Sequence, residues 1–157
     1  MESLYVDGCC NKQTKGNGWA SVVADNNIDL IDAYSCILSD FIIEDVSTPK
    51  GKYKVIISKF NDVASQQNNG AELLSMVAGL RIAVNVLKCK FLYSDSSLMV
   101  DYWSDNKISK KTLDKMDPIK LKYIKECYTL RKRFELCGGK VLKIPGNKNP
   151  ADLGYHK

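Results

Sequence analysis

Four carboxylates, Asp7, Glu72, Asp95 and Asp152, lie where a strand ends or a helix begins. Asp7 closes Leu4-Tyr5-Val6, Glu72 follows Asn68-Asn69-Gly70-Ala71, Asp95 follows Phe91-Leu92-Tyr93-Ser94, and Asp152 ends Ile144-Pro145-Gly146-Asn147-Lys148-Asn149-Pro150-Ala151. In an α/β sheet such positions project side chains into one common crevice. Gathered carboxylates repel one another unless cations neutralise them, and hard divalent ions with oxygen ligands are the matching partners. Two such ions held close together are a device for in-line phosphodiester cleavage. The residue types therefore point to metal-assisted cleavage of a nucleic acid.

Each acid also has a local explanation. Asp7-Gly8 suits a hairpin loop. Glu72 in the first turn of a helix is favoured by the helix dipole. Asp95-Ser96-Ser97 is helix-capping chemistry, and Asp152 suits the cap of a terminal turn.

The elements that position these acids are legible in the hydrophobic pattern. Leu4–Val6 reads as a short strand, and Gly16-Asn17-Gly18 as the turn leading to a second strand at Trp19–Ala24. The loose alternation from Ile28 to Ile43 reads as a strand with a loop. Thr48-Pro49-Lys50-Gly51 breaks the chain before another strand at Tyr53–Phe60. From Glu72 the period becomes helical, with Leu73, Met76, Val77, Leu80, Ala83, Val84 and Leu87 on one stripe. Lys90–Ser94 is a buried strand, and Ser96–Trp103 a short helix followed by a lysine-rich connection. Pro118 opens a long helix with Leu121, Ile124, Tyr128 and Phe134 inward, ended by Gly138-Gly139. Lys140–Ile144 is the last strand. The predicted class is α/β, a five-stranded mixed sheet of three antiparallel and two parallel strands flanked by helices. No repeat, low-complexity tract or linker divides residues 1–157, so one domain is expected.

Composition narrows the function classes. The 157 residues are 45% apolar and 26% charged, an ordinary globular balance, and no apolar run approaches the roughly eighteen residues of a membrane span. The N-terminus lacks the basic start and apolar stretch of a secretory signal. Cys9, Cys10, Cys36, Cys89, Cys127 and Cys137 include no Cys-x-x-Cys pair, and the single His156 leaves little for a zinc site. Reduced thiols in a cytoplasmic or nuclear compartment are expected. The net charge of +5 is unevenly spread: six acids and no Lys or Arg between Asp25 and Asp45, ten bases against three acids between Asn106 and Arg133. Such a basic stripe is either a solvated helix face or the footprint of a polyanion, and beside a carboxylate cluster the polyanion is favoured.

The motifs together resemble the ribonuclease H family over nearly the whole chain. Tyr5-Val6-Asp7-Gly8 resembles its first strand. Asn68-Asn69-Gly70-Ala71-Glu72-Leu73 resembles its Thr-Asn-Asn-x-x-Glu-Leu segment, with Gln67 in place of the threonine. Tyr93-Ser94-Asp95-Ser96 is similar to its Thr-Asp-Ser motif. The segment from Ile144 to Asp152 resembles the Pro-Gly-x-x-Asn-x-Ala-Asp ending of retroelement enzymes, and Ile57-Ser58-Lys59 also resembles that branch. The local roles of the four acids do not explain their joint spacing; the resemblance does. It implies an endoribonuclease that hydrolyses the RNA strand of RNA/DNA hybrids, leaving 5′-phosphate and 3′-hydroxyl ends. Asp7, Glu72, Asp95 and Asp152 would hold two magnesium ions, with manganese able to substitute. Asn68, Asn69 and Ser96 would meet the hybrid, where the ribose 2′-OH marks the RNA strand. Backbone amides at Gly8 and Cys9 would contact the RNA near the cut. Lys107, Lys110 and Lys111 would track the DNA phosphates, with Trp103 more readily a core residue than a stacking surface. A monomer is the expected state.

Three departures stand out. No histidine precedes the last carboxylate in its loop, and His156, behind it, reads as a tail residue. The chain stops five residues after Asp152, so the family's terminal helix is missing or very short. The acidic 25–45 stretch exceeds what the family's hairpin needs. A related DNA nuclease of the resolvase or integrase kind and a catalytically silent nucleic-acid-binding domain are the alternatives. Asn68-Asn69 and Asp95-Ser96 argue against the first, and an intact set of acids against the second. Met1 and the excess of lysine over arginine, twenty to three, fit a free-standing protein of a large DNA virus, mobile element or bacterium.

Overall fold

A computed structural model describes residues 3–10, 18–58, 67–86 and 89–154, the side chains of 67 and 68 excepted. In chain order the regular elements are β1 (Ser3–Cys9), β2 (Gly18–Ala24), β3 (Ile28–Asp29), α1 (Leu30–Ala33), β4 (Ile42–Thr48), β5 (Gly51–Ser58), α2 (Gln67–Asn85), β6 (Phe91–Ser94), α3 (Lys110–Leu113), α4 (Pro118–Leu136) and β7 (Lys140–Lys143). The sheet runs β4-β5-β2-β1-β6-β7, with β3 beside β2. Its β4-β5-β2-β1 half is antiparallel, and β6 and β7 are parallel to β1. Asp7 stands opposite Ser21 in the β1–β2 register, well inside a strand and not in a hairpin loop.

Among the described residues the sheet thus has seven strands and not five, and the region predicted as one strand with a loop supplies two of them, β3 and β4. Asp29 explains the interruption. Its Oδ1 accepts the amides of Ile31 (3.0 Å) and Asp32 (3.2 Å), so the chain turns into α1 after two residues of β3. Pairing resumes at Ile42 and continues outward along β5. The expected break at Thr48–Gly51 is the turn of this hairpin, with Gly51 at φ 127° and Thr48 Oγ1 donating to Gly51 O (2.9 Å). Part of the turn expected before Gly18 lies outside the described residues.

The central helix, α2, begins five residues before Glu72 and is buried on nearly every side from 70 to 80. Of the predicted stripe, Leu73, Met76, Val77, Leu80 and Ala83 lie in the core, Val84 packs partly buried against it and Leu87 lies outside the described residues; Leu74, Ala78 and Ile82 are buried as well. A helix covered all round loses the amphipathic signature by which its limits are read. Gly79 lets it close on the sheet: a Cβ there would lie 2.6 Å from Val6 Cγ1 and 3.0 Å from Leu92 Cδ1.

Helix α4 starts as expected, with Asp117 accepting the Ile119 amide (2.7 Å) and Pro118 in the first turn. It ends in a Schellman motif at Gly138, φ 92°, where Gly139 N donates to Phe134 O (2.9 Å). Its buried residues are Lys120, Tyr123, Ile124, Cys127, Leu130 and Phe134, so the inward face is rotated from the predicted one and Leu121 and Tyr128 lie at its margin. Lys120 is wholly buried because its ammonium lies over the Trp103 ring, 5.9 Å from the centroid, and Trp103 is itself a core residue. Two core clusters result. The larger joins β1, β2, β6, α2 and α4; the smaller, on the opposite sheet face, gathers Val23, Tyr53, Val55 and Ile57 under Ala151 and Leu153.

The acidic 25–45 stretch is absorbed by the fold. Asp29 Oδ2 accepts the Lys54 amide (2.7 Å), and the Lys54 ammonium pairs with Asp45 (3.0 Å) and Asp32 (3.8 Å). Asp40 receives both Nη atoms of Arg81 (2.6 and 2.9 Å) and the Tyr123 hydroxyl (3.1 Å). The same guanidinium donates to Glu126 (2.5 and 2.8 Å) and lies over the Phe41 ring. One arginine therefore ties the 35–41 segment to α2 and α4, and it holds the Asp40 carboxyl below its ordinary range. Arg81→Met should strand two partly exposed carboxylates and destabilise the protein by about 2 kcal/mol. A urea midpoint lowered at unchanged slope checks this; an unchanged midpoint would show that the network adds nothing to stability.

Candidate active site

Three of the four acids converge. Asp7 comes from β1, Glu72 from the second turn of α2, and Asp95 from the residue after β6; an oxygen of each lies within 4.8 Å of one from the others. Asp7 and Glu72 are buried and Asp95 is half-buried. The local explanations for these acids fall away. Glu72 is past the first helical turn. Capping of the 98–102 turn is the task of Ser96, whose Oγ accepts the Met99 amide (3.3 Å), while Ser94 Oγ accepts the Ser96 amide (3.0 Å).

Gly8 explains how β1 and α2 approach so closely. A Cβ at this position would overlap the backbone of Ala71 and Glu72, 2.8 Å from Ala71 O. Its amide donates to Asp7 Oδ1 (2.9 Å) and to Glu72 Oε1, so one N–H serves two carboxylates. The amide expected to contact RNA thus faces the protein's own acids. Cys9 follows, half-buried, with its thiol pushed up to about 12 by burial and then by Asp7, Cys10, Glu72 and Asp152. It stays a neutral thiol at physiological pH, leaving a donor set of hard carboxylate oxygens that suits a hard divalent cation.

Asp152 is not one of the three converging acids. Its Oδ1 accepts the Gly154 amide (2.8 Å), and its charge reaches Cys9, which places it at the same end of the sheet. No helix follows it within the described residues. The segment before it lies against the site: a Cβ on Gly146 would be 3.2 Å from Asp95 Oδ2.

Asn69 lines an open groove of about 370 Å³ with Leu98, Tyr102, Trp103, Lys107, Ile108, Ser109 and Thr112. Lys107, Lys110 and Lys111 are all exposed, and Lys107 pairs with Asp105 (3.1 Å). The basic stretch offers fewer cations than its count suggests, because Lys120 is buried and Arg131 donates inward to Val100 O (2.5 Å) and Ser104 Oγ (2.7 Å). Tyr102, half exposed in the groove, is an aromatic that no sequence motif marks; its only signal there is the neighbouring Trp103. The Asn68 side chain and His156 lie outside what the structure describes. None of the six cysteines is in a disulfide, and no helix among the described residues is long and apolar enough to cross a membrane.

Burial, then Asp7 and Asp95, hold the Glu72 carboxyl well above the ordinary 4.5. A raised carboxyl pKa stabilises the folded state fully below the unfolded value, and that stability is lost as pH rises through the folded one. The melting temperature of metal-free protein should therefore fall as pH rises above the ordinary carboxylate range, and Glu72→Gln should flatten the fall. Added magnesium should restore stability at the higher pH. A melting temperature that rises with pH there would contradict the strained-carboxylate reading.

No curated protein matches the sequence. The sequence model of the RNase H family matches residues 1–141, a span that contains Asp7, Glu72, Asp95 and every strand of the sheet but the end of the last. With that span, a mixed sheet flanked by helices and a carboxylate cluster fit for divalent metal, the chain belongs to the RNase H family, enzymes that hydrolyse the RNA of RNA/DNA hybrids.

Proposed function

We propose that the protein is an endoribonuclease that cuts the RNA strand of RNA/DNA hybrids with two magnesium ions held by Asp7, Glu72, Asp95 and Asp152. The observation that carries this reading is the convergence of Asp7, Glu72 and Asp95 within 4.8 Å, on three elements that the core holds rigidly. Manganese, of similar ligand preference, should substitute. When bound, the ions supply an activated water and offset charge on the leaving 3′ oxygen. The chain's own groups do the rest. The Gly8 amide fixes the orientation of Asp7 and Glu72 before substrate arrives. Asn69 and Ser96 stand beside the site, where a polar side chain can meet the minor groove and the ribose hydroxyl. The groove between Asn69 and Lys107, with Tyr102 on its wall and Ser109 and Thr112 along it, suits the DNA strand.

The direct test is cleavage of a labelled hybrid with and without magnesium, beside duplex DNA and duplex RNA. Hybrid alone should be cut, with metal alone. Asp95→Asn, which keeps shape and removes a charge, should lower cleavage by on the order of 1000-fold while the fold survives. Full activity of that variant with magnesium would overturn the assignment.

Hybrid affinity should fall with salt. Neutralising Lys107, Lys110 and Lys111 together should flatten the slope of log affinity against log salt by roughly 0.7–0.9 for each phosphate that no longer meets a cation. An unchanged slope would make these lysines a solvated surface.

A further inference from the structure

Asp152 is followed by no helix among the described residues, yet the backbone around it is fixed from both sides. Asn149 is buried, and its side chain works in two directions. Its Nδ2 donates to Val6 O (3.0 Å), the carbonyl just before Asp7, and its Oδ1 accepts the Ala151 amide (3.0 Å). The Asn149 carbonyl accepts the Asp152 amide (3.1 Å), which closes a tight turn. From the next strand, Ser21, the register partner of Asp7, donates through Oγ to Ala151 O (2.6 Å). Ala151 and Leu153 are buried against β2 and β5, leaving Asp152 half-exposed between two anchored neighbours.

We infer that Asn149 is a positioning residue that, with Ser21, pins the 149–153 segment to β1 and β2 and so fixes where Asp152 stands at the Asp7 end of the sheet. The inference rests on the reading of Asp152 as a metal-site carboxylate. It also explains the residue type. An alanine has neither the donor nor the acceptor, an aspartate has no donor for Val6 O, and a glutamine is one methylene too long for a two-residue turn back to Ala151. Burial makes either loss felt, because the Val6 carbonyl and the Ala151 amide would be left without these partners.

The test is a double-mutant cycle in the full-length protein. Asn149→Ala is made alone and with Asp152→Asn, and manganese affinity of the free protein is measured by calorimetry together with kcat and KM on labelled hybrid. Alone, Asn149→Ala should weaken manganese binding by about tenfold and lower kcat similarly, with KM within about twofold. In the Asp152→Asn background the same change should weaken manganese binding less than about twofold, since nothing remains to be positioned. An equal loss in both backgrounds would overturn the inference and leave the metal-site reading intact. Unaltered manganese affinity and cleavage in Asp152→Asn itself would overturn both the role of Asp152 and the inference. Should Asn149→Ala not fold, Ser21→Ala carries the same cycle, because it removes the second tie and keeps the first.

Discussion

Three carboxylates are held together here because α2 is pressed onto β1 and β6 at two glycines. Gly79 removes the side chain that would keep the helix off Val6 and Leu92, and Gly8 removes the one that would keep β1 off Ala71 and Glu72. Between these contacts the helix is buried on nearly every side, so its N-terminal half has no freedom to relax away from Asp7. The apolar core thus bears the repulsion of a site whose charges favour separation. Strain of this kind is useful, since a cation that binds the folded state relieves it and stabilises the protein by mass action.

Charge is partitioned with similar economy. Arg81 and Lys54 tie the acidic stretch to the scaffold, and Asp29 uses its carboxylate to start α1 and to hold β5. The basic stretch is divided between structure and surface. Lys120 and Arg131 are consumed inside, under Trp103 and against Val100, while Lys107, Lys110 and Lys111 remain exposed. A net charge taken from the sequence overstates the field that a polyanion would meet, because buried cations are largely matched by internal partners.

The segment around Asp152 is held to the sheet by an asparagine turn, one serine and two buried apolar side chains. These are short-range devices that need few residues, and they work because β1 and β2 already present Val6 O and Ser21 at the right edge.

By itself the sequence determined the α/β class, the long α4 and its Pro118 and Gly138 punctuation, and the candidacy of Asp7, Glu72 and Asp95. Caps, turns and alternating apolar residues are local signals, and motif spacing survives folding unchanged. Only the tertiary structure decided the rest. The start of α2 at Gln67 was hidden because the helix is buried throughout from 70 to 80, with no polar face there to mark its limits. The extra strands β3 and β4 depended on Asp29 capturing two amides and on an edge of β5 being open for pairing. Whether Lys120 faces water or Trp103 is a question of rotation by one residue, which periodicity resolves poorly. That Asp152 stands apart from the three clustered acids, on a segment held by Asn149 and Ser21, depends on contacts across more than a hundred residues of chain, and no local pattern encodes them.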